Sequence, residues 1–520
     1  MTRGSSYVYA MGDALIRSLV LAALLTGLTA CAGEPVLTVG SSTDISTLDP
    51  FGMFSRVEIS LGDHIFQTLT FLDREMETVP SLATSWERLP GDTTWVFHLR
   101  EGVRFTNGEP FDGEAVKFSV DLFIERNRQG MVVGGASVAL PSSEITRVVV
   151  IDPLTVSIDT ARPKALLPFY MTQIYMLAPG HYGGAGDAER AENPVGTGPY
   201  VLQERIRDSH VTLARNPDYW GPAPALDKVV FRAIPEISTR VAELEIGTIH
   251  IIGDLPFDQA GLLERSSDVH VATVSGGRRV MIGIKTQGGP EPLTDTRVRQ
   301  ALNYAIDFDA INEGLYGGAA TRMAAVFNPP FRHPDLSPYA YDPARARQLL
   351  AEAGYPNGFE LASLDTPIGK WIQDFELAQT IASQLAEVGV TLKEGVRTYE
   401  WGNYRTKLLG HDLPGLFMQA SGGEFELQTE AADLTITSPS NFYNWENAAY
   451  EKLWSELLET MDSERRYQIG LEMQELVLEE APWIFLYIQV DTYGVSDRIS
   501  WSPRMDEVIH LWDVNWTETP

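Results

Sequence analysis

Residues 194–200 read Pro194-Val195-Gly196-Thr197-Gly198-Pro199-Tyr200, the strongest turn chemistry in the chain. Two glycines separated by one residue let the backbone turn tightly, and Pro199 fixes φ directly after them. Short strand-like runs follow at Tyr200-Val201-Leu202 and Val211-Thr212-Leu213. Upstream, Val36 to Gly40 reads as a buried strand followed by turn residues Ser41 to Asp44. Ser55 to Leu69 has helical spacing. Trp95 to Leu99 alternates like a strand and stops at Arg100-Glu101-Gly102. Asp112 is placed to cap a helix starting near Gly113, and Val148 to Ile158 reads as a hairpin turning at Asp152-Pro153. Downstream come a strand at Val229 to Ile234 and a helix from Thr239 to Ile246, with Gly247 as its C-cap. From Arg297 the texture shifts to longer helices: Ala344 to Ala353, Phe375 to Val388, Tyr450 to Met461 and Arg465 to Glu479. Short strands such as Val390-Thr391-Leu392 and Ile484 to Tyr487 lie between them. Helix alternating with strand predicts an α/β protein whose parallel sheets are covered on both faces.

The chain has 520 residues, 44% hydrophobic, with a net charge of −30 at pH 7. That length and apolar fraction suit several packed domains and exclude a disordered chain. Such an acidic surface repels nucleic-acid phosphates and anionic lipid, so nucleic acid is not an expected partner. The single cysteine, Cys31, rules out an intramolecular disulfide. It follows an apolar stretch, Ala14 to Ala30, interrupted by Arg17 and Ser18. Residues 1–30 thus have the proportions of a secretory signal, with Met1 or Met11 as start. Leu28-Thr29-Ala30-Cys31 resembles a bacterial lipobox, which would make Cys31 the site of lipid attachment. Ala30-Cys31-Ala32 also fits ordinary signal-peptidase cleavage. The expectation is an exported protein, held to a membrane only through lipid on Cys31.

The usual chemical signatures are missing. The sequence has no H-E-x-x-H, no P-loop and no G-x-S-x-G elbow, and one cysteine cannot form C-x-x-C. Nine scattered histidines show no metal spacing. No metal site, cofactor or catalytic residue is expected. Gly183-Gly184-Ala185-Gly186 follows no clear strand and reads as a loop.

Several strings occur together in one order. They are Leu48-Asp49-Pro50; Pro80 to Glu87 (PSLATSWE); Trp95 to Phe111 (WVFHLREGVRF, then NGEPF); residues 194–200; Arg215 to Trp220 (RNPDYW); Asp295 to Leu302; and Met473 through the PWIFLY segment from Pro482. This set resembles the family 5 extracellular solute-binding proteins, the oligopeptide-, dipeptide- and nickel-binding subunits of ABC importers. The resemblance implies a two-lobe periplasmic-binding-protein-like α/β fold (cluster C type) with an inserted third subdomain. It implies residues 36–65, 195–283 and 485–520 for lobe I, 66–194 for the insert and 284–484 for lobe II. It further implies capture of a small solute, foremost a di- or oligopeptide, between lobes that close over it. Delivery would be to a membrane permease driven by separate ATPase subunits, in keeping with the absent P-loop. The alternatives are an oligosaccharide- or opine-binding subunit and, from another class, a secreted hydrolase.

Peptide binders of this family hold the ligand's α-ammonium with a carboxylate in a W-x-x-D-Y-x-D-P string. The corresponding stretch here, Gly415 to Glu426, lacks the Trp, the Asp and the D-P, which leaves Glu424 or Glu426 as replacement carboxylates. Asp44 is similar to an acidic position near the peptide, and a turn cap is the other reading. Trp371, Trp401 and Trp445 are candidate stacking platforms, with core packing as the alternative. Lys370 and Arg278 are candidate partners for a ligand carboxylate.

Overall fold

The computed structural model describes residues 36–53, 55–131, 144–184, 186–324, 326–422, 425–438, 440–512 and 514–517. The signal stretch, Cys31 and Glu424 lie outside these residues.

Two strands organise the chain. Val269–Ile284 has 16 residues and Trp483–Ser496 has 14. At ~3.4 Å per residue the longer spans roughly 50 Å, more than one small core. They pair antiparallel in two blocks: Val269 to Ser275 lie opposite Val490 to Ser496, and Arg279 to Gly283 opposite Trp483 to Ile488. The register shifts between the blocks, at Gly276-Gly277-Arg278. Beyond the shift, Arg278 to Ile284 also pair with Leu416–Gly422, whereas Gly494 and Val495 pair with Ile251–Ile252. Each long strand therefore belongs to one lobe at one end and to the other lobe at its other end.

Hydrophobic packing divides at the same place. One core gathers Val280 to Ile284 with the helices Thr296–Tyr304, Pro343–Glu352 and Asp374–Glu387 and extends to Ile488. A second joins Leu37, Val39, Val229 and Phe231 to Tyr493 and Val495. The inserted subdomain is a four-stranded antiparallel sheet, ordered Ala83–Arg88, Thr94–Leu99, Thr155–Thr160, Ile145–Asp152, with the helix Gly113–Arg128 against it. Its apolar residues Phe97, Val116 and Val156 belong to the second core, so insert and first lobe share one interior.

The expectation of parallel sheets needs correction. In the large sheet, Leu37–Ser41 is parallel to Lys228–Ala233 and Ile251–Ile252, and Leu364–Pro367 is parallel to both its neighbours. The pairings of the two long strands and of the Tyr200–Ile206/His210–Arg215 hairpin are antiparallel. The sheet is mixed because two strands cross between lobes and a hairpin closes one edge.

Local chemistry explains the ends of the elements. Ser55 and Glu58 form a reciprocal capping box on the helix Arg56–Ile65. Asp112 accepts from the amides of Glu114 and Ala115. Gly247 takes φ +77° after Ile237–Glu245, a conformation that costs glycine little. Residues 194–200 press against the end of Arg56–Ile65, where the Gly198 amide donates to the Ile65 carbonyl at 2.9 Å. A methyl group at Gly196 would overlap the Ile65 carbonyl, and one at Gly198 the carbonyls of His64 and Ile65. Gly196→Ala is therefore expected to cost about 1–3 kcal/mol in chemical denaturation. Gly184→Ala, at an exposed glycine with nothing within 4 Å of the added carbon, is expected to stay within about 0.5 kcal/mol of the parent.

Candidate functional site

Charged groups from both lobes converge where the long strands shift register. In the first lobe, the parallel strands Leu37–Ser41 and Ile251–Ile252 run side by side, and turn residues follow each. Loops at the carboxyl ends of parallel strands are where open α/β sheets place ligands. Ser42 Oγ donates to Asp254 Oδ2 at 3.3 Å, and Asp254 adopts φ +52°. Asp491, on the second long strand, receives Gln489 Nε2 on Oδ1 at 2.8 Å. Its Oδ2 is buried and has no hydrogen-bond partner among the described residues. Burial, and then the neighbouring Glu507 carboxylate, push Asp491 up to about 7, against the pull of Arg278. Glu507, at φ +63°, accepts from Arg278 Nη2 at 3.2 and 3.3 Å.

The second lobe supplies the opposite charge on an aromatic wall. The loop after Leu364–Pro367 wraps the Asp374 carboxylate, which accepts from the amides of Gly369, Lys370 and Trp371 at 2.8–3.1 Å. That loop sets Lys370 Nζ 4.8 Å from the centre of the Trp401 ring, a cation–π contact. Trp371 meets Trp401 edge-on, with ring centres 5.9 Å apart. Burial, with a further contribution from Arg278, pulls the Lys370 ammonium below its ordinary pKa. Trp371, 8% exposed and part of the second-lobe core, packs against Trp401, the core-packing alternative; Arg278, Lys370 and Trp401 come together in one candidate site. It also contains Asp254, Asp491 and Glu507, which the sequence reading missed. Asp254 was open to discovery from its place after a short apolar strand; Asp491 and Glu507 carry no local signal.

Other expected site residues have different roles. Asp44 Oδ2 accepts the Asp208 amide at 2.9 Å and pins the Tyr200–Ile206/His210–Arg215 hairpin, the turn-cap reading. Glu426 is corrected: it is 1% exposed, caps Leu427–Ala432 through the amides of Gln428 and Thr429, and lies 3.7 Å from Arg466. Its charge is committed inside the second lobe. Trp445 is corrected as well: it is 2% exposed and packs edge-on against Tyr450 at 5.1 Å. Among the described residues, no group of three or more His, Cys, Asp or Glu is arranged to hold a metal ion.

The lobes touch on either side of this site. Tyr170 of the insert is buried, and Glu426 and Thr429 of the second lobe both act on its hydroxyl. Phe257 of the first lobe lies edge-on to Tyr316 of the second at 6.2 Å. The two lobes are thus in contact beside the site.

Asp491 makes stability depend on pH. Its folded pKa is raised above the unfolded value, so the contribution is fully present below about 4 and is lost as pH rises towards 7. Asp491→Asn is expected to raise the ligand-free melting temperature at pH 8, with the gain vanishing at pH 4. Calorimetric scans at the two pH values check this, and equal shifts at both would contradict it.

The molecule was compared with known proteins. A family model described as bacterial extracellular solute-binding proteins, family 5 (middle), matches residues 77–445. Over 483 residues the chain is 28% identical to the glutathione-binding protein GsiB of Escherichia coli K12, covering 90% of this chain and 92% of that one. The structure of DppA from Helicobacter pylori with the peptide STSA aligns at TM-score 0.74 and 24% identity, over 93% of this chain and 98% of the other. AgaA from A. tumefaciens R10 with agropinic acid aligns at TM-score 0.73 and 22% identity, over 94% and 99%. The two structural likenesses show a shared fold, and among the described residues no helix is long and apolar enough to cross a membrane. With a family model matched over most of its length, this chain belongs to the bacterial extracellular solute-binding proteins, family 5.

Proposed function

We propose that the protein is the substrate-binding component of an ABC importer, capturing a short peptide between its lobes and delivering it to a membrane permease. The chain would be exported and anchored through lipid on Cys31, with ATP hydrolysed by separate subunits. One observation carries the peptide reading: the interlobe site is divided by charge. Asp491, with its unpartnered Oδ2, and Asp254 form an acidic floor suited to an α-ammonium. Lys370 over Trp401, near Arg278, suits a carboxylate. Trp401, half-buried beside Lys370, offers apolar surface. A zwitterion with a modest apolar body meets all three demands. The relatives support this reading: GsiB is named for glutathione, and DppA was solved with a peptide.

An opine is the second reading, because AgaA was solved with agropinic acid. The Lys370–Trp401 wall suits such an acid equally well, so the acidic floor is what separates the two.

Calorimetry with di- and tripeptides, their N-acetylated and C-amidated forms, an opine and an oligosaccharide set tests the proposal. Free peptides are expected to bind, and either blocking group is expected to weaken binding about tenfold or more. Affinity for the free-amine peptide should rise between pH 5.5 and 7.5, because only ionised Asp491 attracts ammonium. Asp491→Asn should flatten that rise. A clear sugar isotherm beside no peptide heat would overturn the reading.

A further inference from the structure

A second cavity lies apart from the interlobe site, where the first lobe meets the insert. It holds about 140 Å³ and is walled by the rings of Phe66, Phe71, Tyr175, Tyr219, Trp220 and Trp512. All of these except Phe66 are half-buried, so their ring surfaces are not consumed by core packing. A hydrocarbon-lined cavity of about 150 Å³ is known to take up benzene.

The polar groups of the lining satisfy one another. The Tyr175 hydroxyl donates to Asp63 Oδ1 at 2.7 Å, and His510 Nε2 lies 3.0 Å from Asp63 Oδ2. Gln67 Oε1 accepts from Trp220 Nε1 at 2.7 Å and from Thr197 Oγ1 at 3.1 Å. Gln67 Nε2 donates to the Tyr219 hydroxyl at 3.0 Å.

One charge packed against the lining is not satisfied in this way. The Arg100 guanidinium lies 4.3 Å from the centre of the Trp220 ring, and its Nε donates to the Ser81 carbonyl at 3.2 Å. Both Trp220 and Ser81 line the cavity. Among the described residues no carboxylate pairs with Arg100, in a chain with 70 acidic residues against 40 basic. A guanidinium stacked on a ring keeps its in-plane N–H groups free for a bidentate carboxylate.

We propose that this cavity is a second ligand site, which takes a small aromatic or cyclic carboxylate with its ring among the aromatic walls and its carboxylate on Arg100. The site is independent of the peptide reading, since it shares no residue with the interlobe cleft.

Phenylacetate and its neutral isostere phenylacetamide, titrated calorimetrically into the full mature chain, provide the test. Phenylacetate is expected to bind at least tenfold more tightly than phenylacetamide. Arg100→Gln should erase that preference, and Arg100→Lys, which keeps the charge but loses the planar fork, should reduce it at least threefold. Trp512→Ala should weaken both probes. Equal affinity of the two probes for the parent protein, or no binding of either, would overturn the proposal whatever the variants do. So would loss of phenylacetate binding with Lys370→Gln rather than Arg100→Gln, which would assign the probe to the interlobe cleft.

Discussion

The molecule depends on a pair of antiparallel strands that both lobes share and that break register between Ser275 and Arg279 and again between Val280 and Met281. Because the ladder is shared, the lobes cannot separate; because it slips at Gly276-Gly277, they need not move as one body. Small residues at the slip make room for the chemistry. A methyl at Gly276 would overlap the Asp491 carboxylate. Gly422, at φ +122°, ends the neighbouring strand where a side chain would strike the Gly277 carbonyl. The register shift and the candidate site are thus built from the same few residues, and a side chain added at one would obstruct the other.

The electrostatics of the site follow from this crowding. Burying a carboxylate away from water is unfavourable unless a partner compensates, and Asp491 has a single hydrogen-bond donor and the partial help of Arg278. Arg278 is itself engaged by Glu507 from the C-terminal segment. The site therefore holds an acidic floor with one oxygen unmet among the described residues. Lys370 from the other lobe is exposed and stacks on Trp401, a cation open to an anionic group. A ligand bearing both charges would engage both lobes at once, a differential interaction available only when the lobes are together.

Sequence reading succeeded where local chemistry decides structure. The helix read from Ser55, the cap at Asp112, the turn at residues 194–200 and the helices after Arg297 are set by neighbours within a few positions. It failed where structure is set at long range. Val269–Ile284 went unseen because Gly276-Gly277 interrupts its pattern, and Trp483–Ser496 was read only as Ile484 to Tyr487. The site divided similarly. Arg278 and Lys370 stand out as residue types that bind acids, and Trp401 as a stacking platform. Asp491 and Glu507 matter only because the strand crossing and the C-terminal return bring them together, 16 residues apart in a chain rich in acids. Glu426 and Trp445 have plausible chemistry, but burial spends it on a helix cap and on a core contact.

The contacts across the cleft indicate how closure is balanced. The insert's Tyr170 lies buried beside Glu426 and Thr429 of the second lobe, and Phe257 meets Tyr316 by a ring edge. An aromatic pair contributes about 0.5–1.5 kcal/mol beyond its buried area. Against these contacts stands the cost of burying the Asp491 carboxylate without an occupant. These terms oppose one another, so what occupies the site weighs on the balance between lobes together and lobes apart. An occupant with an ammonium for Asp491 and a carboxylate for Lys370 would add attraction that exists only when both lobes reach it. On the proposed reading, the ligand's charges therefore matter to closure as well as the fit of one lobe to the other.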